Sequence, residues 1–380
     1  MVTRLVRLPV SIPVAALVLL VLEWGRELPS VLSVLTAVVL GATVLVGVSH
    51  AETVAHRVGE PLGSLVLAVA VTVIEVGLIL SIMASGKGSS SLARDTVFAA
   101  VMITCNGIVG ITLVIAALRS RVVSFNAEGS GSALAAVTTL AVLSLVLPTF
   151  TTSTPGPTFS STQLVFSAVT AVSVWLLFVL VQTGRNRDWF LHDDAPDDVI
   201  VLPHDVEDDG PGDVLHPIES DDDPDHRPSA RETWSSVVLL VLSLVAVVGL
   251  AKVLSPTIEK VVVDLGFPIT VVGVVIALLV LLPETVTAIR SARRGQVQTS
   301  FNLAYGSAMA SIGLTIPAIA LASVWFAGPV ELGLRSVETV LLALTVGVSI
   351  LTVSPGRAGL LQGGLHLAVF AGFLVLAAYP

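Results

Sequence analysis

Two glutamates stand where a carboxylate is expensive. Glu75 lies in VTVIEVGLIL (71–80) and Glu284 in VLLPETVTAI (280–289), both inside long apolar runs. The other acids fall at the ends of such runs or in polar segments. A carboxylate in a bilayer interior costs a few kcal/mol or more and usually faces a cavity on an ion or proton path. One such acid alone could be a neutral hydrogen-bonding group between helices. Two at matching positions of two halves point to one shared ion site. Pro283 directly precedes Glu284 and removes a backbone hydrogen bond. Freed carbonyls beside a carboxylate suit a hard cation, which takes oxygen ligands.

The helix after each glutamate is polar where a plain span would be bland. One carries ITCNG (103–107), with Thr104 and Asn106. The other carries FNLAYGSAMASIGLTIP (301–317), with Asn302, Gly306, Ser307 and Ser311. Asn302, Gly306 and Met309 share a face by spacing, although small residues there also serve close helix packing. Glu52, His56 and Glu60, in SHAETVAHRVGEP (49–61), fall at helical spacing where a cytoplasmic entry to Glu75 would lie. They could draw cations inward; a solvated turn at the membrane surface is the plainer alternative. A carboxylate in low-dielectric surroundings tends to hold a proton. A cation that binds must displace it, and two glutamates that take protons or one cation, never both, exchange one for the other.

The elements that must position these residues are membrane helices. The chain has 380 residues, 54% hydrophobic and only 12% charged, against about 25% charged in soluble domains. Windows of roughly 20 apolar residues, enough to span a bilayer, fall at 8–24, 29–49, 62–85, 96–118, 132–150, 162–182, 234–253, 266–289, 301–325, 336–353 and 359–378. The first follows a basic start and resembles a secretory signal, but GRELPS follows it where a small-residue cleavage site would stand. It is expected to be a retained helix. Strand-type alternation is absent, which argues against a barrel. The single cysteine, Cys105, excludes an internal disulfide and a multi-thiolate metal site.

The formal charge of −9 is misleading, because sixteen of the 28 acids lie between Asp188 and Glu232. This segment is rich in Asp, Pro and His and reads as a solvated acidic linker. Its clustered carboxylates could instead collect cations, though it has no EF-hand loop. With the N-terminus in the cytoplasm, thirteen of the 19 Lys and Arg residues fall inside and six outside. That bias places the acidic loop inside and the C-terminus outside. The expected organisation is an N-terminal helix (1–28), a first repeat of five helices (29–183), the loop (184–233), and a second repeat of five (234–380). Five spans per repeat make the second inverted relative to the first, as in secondary transporters whose site lies at the midplane.

The segment AHRVGEPLGSLVLAVAVTVIEVGLILSIMASG (55–86) resembles the first signature region of cation/proton exchangers, in the calcium/cation antiporter superfamily. LLPETVTAIRSARRGQVQTSFNLAYGSAMASIGLTIP (281–317) resembles the second, and the acidic loop fits too. The resemblance spans essentially the whole chain and implies an all-α polytopic protein of about eleven helices. It implies a bacterial inner-membrane antiporter that exports Ca²⁺, and with it Na⁺ or K⁺, for protons. Glu75 and Glu284 would carry cation and proton, and Thr72, Gly306, Ser307 and Asn106 would line their site. There are departures: VTVIE and VLLPE stand where the family often has GNxxE, with Thr72 at an asparagine position. The family's GSSIQ becomes GSAMA, and Asn106 meets a family asparagine only if a short insertion precedes it. The partners implied are the lipid bilayer, inorganic cations and protons, with no resident cofactor and no nucleic acid. A Na⁺/H⁺ antiporter with little calcium activity, and a non-transporting scaffold built on the acidic loop, are the alternatives. HExxH, GxSxG and nucleotide-loop motifs are absent, so an enzyme is not expected.

Overall fold

The structure is a computed structural model that describes residues 10–26, 29–58, 62–84, 90–191, 228–325 and 329–380. It is a bundle of helices. In chain order these are α1 (Ser11–Glu23), α2 (Ser30–Val58), α3 (Leu62–Ala84), α4 (Leu92–Ser120), α5 (Ala127–Phe150), α6 (Ser161–Arg185), α7 (Ala230–Asp264), α8 (Thr270–Val280), α9 (Leu282–Arg293), α10 (Val297–Ala322), α11 (Ser336–Val353) and α12 (Leu360–Ala378). Among the described residues, eight helices are long and apolar enough to cross a membrane, and α8 with α9 makes a ninth, bent span. Two shorter apolar helices, Ser11–Glu23 and Val69–Met83, stand where the first and third expected windows lie.

Local chemistry sets several helix ends. Ser160 and Gln163 form a reciprocal cap at the start of α6, and Ser229 with Glu232 does the same for α7. Pro283 occupies the first turn of α9, where its missing N–H costs nothing. Along the expected window 266–289 the chain is therefore two helices, meeting at Leu281 with a bend of 51°. Two three-residue strands, β1 (Val122–Ser124) and β2 (Arg357–Gly359), pair antiparallel, with Val123 opposite Ala358. This pairing ties the end of α4 to the start of α12.

Burial divides the interior into two main apolar cores. One is built from α1, α2, α3 and α7 with one face of α8. The other is built from α4, α5, α6, α10, α11 and α12. Within the first, α3 lies so close to α7 that a methyl group on Gly77 would come 2.5 Å from Val248 Cγ2. Between the cores, α3 packs on α10 and α8 packs on α4. Further out, α10 rests on α6 and α4 rests on α12.

Candidate functional site

Glu75 is on the α3 face that meets α10, and only 4% of it is exposed. Ser311 of α10, also buried, donates its hydroxyl to Glu75 Oε1 at 2.6 Å. This short hydrogen bond joins a residue of one core to a residue of the other. Thr72 is buried one turn before Glu75 on the same helix. Ser307 is half-buried one turn before Ser311. Open space adjoins Gly306, where an added Cβ would meet nothing within 4 Å.

Glu284 is buried in the first turn of α9, immediately after the break. Its Oε2 is buried with no hydrogen-bond partner. The start of a helix presents unpaired N–H groups and the positive end of the helix dipole, which suits a carboxylate. Glu284 lies within electrostatic range of both Glu75 and Glu52. Thr285 next to it donates both its backbone N–H and its hydroxyl to the Leu281 carbonyl, at 2.9 and 2.7 Å. The arrangement thus brings Glu75, Glu284, Ser311 and the half-buried Glu52 into one electrostatic neighbourhood between α2, α3, α9 and α10.

The other sequence-based candidates divide. Of the expected entry residues, Glu52 lies in α2, which touches α9. Glu60 and the side chain of His56 lie outside the described residues, as does 192–227 of the acidic loop. Asn106 is hydrogen-bonded to helices other than those of the glutamates. It sits in a π-helical turn, Ile103–Ile108, that interrupts α4. Its amide nitrogen donates to Thr345 Oγ1 at 2.9 Å and its oxygen faces His366 Nδ1 at 3.2 Å. The wider turn rotates the register of α4, and both polar ends of Asn106 are held by α11 and α12. Asn302 likewise serves structure, donating to the Phe190 carbonyl at 2.5 Å and accepting from Gln298 at 2.9 Å.

Sequence reasoning noted Ser311 only as one of several polar residues and missed His366 altogether. No motif marks either; each is one polar residue in an apolar window. Among the described residues, no three His, Cys, Asp or Glu side chains converge to hold an ion. A cation between Glu75 and Glu284 would therefore complete its shell with hydroxyls, backbone carbonyls and water, as hard cations do. A cavity of about 300 Å³, lined by Asp95, Phe98, Thr270, Arg335 and Glu338 among others, lies elsewhere and contains none of the expected site residues.

The family model for sodium/calcium exchanger proteins matches residues 27–184 and 235–379. The putative ionic transporter y4hA of Sinorhizobium fredii is 41% identical over 373 residues, covering 97% of this chain and 95% of its own. The sodium-potassium/proton antiporter ChaA of Escherichia coli is 31% identical over 368 residues, covering 96% and 94%. Among solved structures, native YfkE, a Ca²⁺/H⁺ antiporter, superposes with a TM-score of 0.68 at 16% identity, covering 100% of both chains. That last likeness concerns the fold. With two separate stretches matched on either side of the acidic loop and near-complete coverage of its relatives, this multi-pass membrane chain belongs to the sodium/calcium exchanger protein family.

Proposed function

We propose that the chain is a cation/proton antiporter of the bacterial inner membrane, in which Glu75 and Glu284 bind either one cation or protons. The observation that carries the reading is the burial of these two acids on two helices that both pack on α10, in electrostatic range of each other. Ser311 supports the ionised form of Glu75 with a charge-assisted bond. The unpartnered oxygen of Glu284 is the group a cation or proton would satisfy. Thr72 and Ser307 complete the lining, beside the open space at Gly306. Glu52 is the entry group on the α2 side. The cations are Ca²⁺ together with Na⁺ or K⁺, the classes named for the relatives.

The inverted-repeat organisation, 29–183 and 234–380 around the loop 184–233 with the N-terminal segment 1–28 set apart, is part of the proposal. Exchanging the halves maps the packing onto itself: α3 lies on α10 as α8 lies on α4, and α10 on α6 as α4 on α12. Eleven spans follow if the two shorter apolar helices also cross the bilayer. Three contacts favour a single arginine-rich cytoplasmic face. Arg57 bonds the Pro228 carbonyl, Arg119 bonds that of Arg293, and β1 beside Arg121 pairs with β2. They support the reading in which the N-terminus and the acidic loop are inside and the C-terminus outside.

The test is cation-driven proton movement in everted vesicles, with Ca²⁺, Na⁺ and K⁺ supplied in turn. Glu75→Gln and Glu284→Gln should each abolish it while insertion stays normal. Full exchange by either variant overturns the shared site. Wild-type exchange with Na⁺ but not Ca²⁺ selects the second reading, a Na⁺/H⁺ antiporter with little calcium activity, which the 31% identity to ChaA favours.

A further inference from the structure

Away from the glutamates, α4, α11 and α12 enclose a second buried polar network. His366 of α12 is fully buried, at 0% exposure. Its Nδ1 is 3.2 Å from Asn106 Oδ1, its Nε2 is 3.1 Å from Thr352 Oγ1, and the ring also meets the backbone of Cys105. The amide nitrogen of Asn106 is turned to Thr345 and Met102. Asn106 therefore offers the ring only an acceptor, and Nδ1 carries the proton.

The other nitrogen faces a hydroxyl with one proton and two places to put it. Thr352 Oγ1 lies 2.9 Å from the Val348 carbonyl as well. When the ring is neutral, Thr352 donates to Nε2. When the ring is doubly protonated, Nε2–H donates to Thr352 Oγ1 and the hydroxyl proton turns to the Val348 carbonyl. Every donor finds an acceptor in both states, and the rotation of one hydroxyl separates them. A buried group built only for structure needs one satisfied state; this ring has two.

Charged and titratable groups on the elements packed against α12 lie mostly at the helix ends. Cys105 in the π-turn is beside the ring. Arg94 and Asp95 are tied to each other and to Glu338 at the far ends of α4 and α11. Arg119 closes α4, Arg357 lies in β2, and α8 has no charged residue. Among the described residues the ring's polar contacts are therefore Asn106, Thr352 and the Cys105 backbone, with no carboxylate hydrogen-bonded to it. Near the ring, α4 and α12 meet almost backbone to backbone. A Cβ on Gly110 would come 2.9 Å from Leu367, and one on Gly363 would come 2.9 Å from the Val114 nitrogen.

We propose that His366 is a second proton-binding site of this protein, separate from the glutamate pair, and that its occupancy sets the pH dependence of exchange. The functional half rests on the antiport reading above. The link is the π-turn that the ring grips at Cys105 and Asn106. That turn touches α9, which carries Glu284, and α10, which carries Ser311. π-turns within α-helices recur at functional sites.

The test uses the full chain in lipid nanodiscs with ¹⁵N-labelled histidine, the His366 signals being assigned by their shift in Thr352→Val and its reversal in Thr352→Ser. The expected ring carries a proton on Nδ1 alone at alkaline pH. It gains the second within the pH range over which exchange in vesicles declines. A ring that stays neutral throughout that range overturns the proposal. In vesicles, His366→Gln should make the acid limb of the pH profile shallower by about one proton. A limb of wild-type steepness overturns the link to exchange. Thr352→Val deletes the acceptor for Nε2–H and should lower the titration by about one pH unit, with Thr352→Ser restoring it. These variants keep the ring, so the titration is read even where His366→Gln does not insert. A ring that titrates in a protein moving no protons with any cation sinks the antiport reading and leaves the proton site standing.

Discussion

Ser311→Ala removes the buried side-chain hydrogen bond to Glu75. The bond is 2.6 Å long and both partners are buried, so no bulk water replaces the lost donor. A hydrogen bond to a charged group contributes about 1.5–3 kcal/mol. Ser311 can also donate to the protonated acid, and a neutral bond is roughly half as strong. The deletion therefore penalises the ionised, cation-binding form over the protonated form by about 0.7–1.5 kcal/mol. That is about three- to tenfold in apparent cation affinity. Protons compete for the same group, so the defect should shrink as pH rises and the competitor thins out. The assay is cation-driven proton movement in everted vesicles, with cation titrated at several pH values and protein quantified on the same membranes. Half-saturation should rise about three- to tenfold near neutrality, with maximal rate little changed. A variant with wild-type half-saturation at every pH refutes the role of Ser311. So does one whose maximal rate falls while half-saturation stays put.

Four further outcomes are expected. Gly77→Ala should drive a methyl group into Val248 and destabilise the α3–α7 contact by about 1–3 kcal/mol, seen as a lower unfolding temperature in detergent; adding Val248→Ala should restore most of it. Arg94→Ala leaves buried Asp95 without its cation, at a cost of about 3–5 kcal/mol, while Glu338 keeps Arg335; Arg94→Ala with Asp95→Ala should be less unstable than Arg94→Ala alone. Deleting 192–226 should leave the half-saturating cation concentration unchanged, because that composition suits a solvated linker; a rise of several-fold would favour a cation collector. Ca²⁺ exchange should be indifferent to an imposed membrane potential, since one divalent ion and two protons carry equal charge; potential-driven acceleration of the vesicle signal would contradict a two-glutamate site.

The two glutamates were legible because each is a local anomaly: one charge in a window that cannot solvate it. Pro283 was legible for the same reason, and the break it announced lies at Leu281. Pairings were not legible. Ser311 looks like Ser307 in the sequence, four residues apart on one face. Only the packing of α3 on α10 gives the hydroxyl of Ser311, and not that of Ser307, to Glu75. Asn106 was read from residue type alone, without backbone register. The π-turn changes which neighbours an α4 side chain meets, and no composition rule announces six residues of wide helix. His366 was missed because a histidine in LLQGGLHLAVF invites the bland explanation of a satisfied core residue. Its two-state hydrogen bonding appears only when Asn106 and Thr352, distant in sequence, are seen on either side of the ring.

The division into two cores gives the Glu75–Ser311 bond a meaning beyond its energy. Glu75 belongs to a helix of the first core and Ser311 to a helix of the second. Glu284, at the bend after α8, follows a helix whose faces contribute to both. A site made this way is only as closed as the seam between the cores. An isolated buried charge is costly, so the seam is most stable when the site is neutral, with both glutamates protonated or one divalent cation bound. With both glutamates bare, the seam holds two unpaired charges and an orphaned Glu284 oxygen, and it should admit water or open. That asymmetry is what an exchanger needs. At the proposed site the loaded forms would cross from one side to the other and the empty form would not, which would couple cation to proton without a further part.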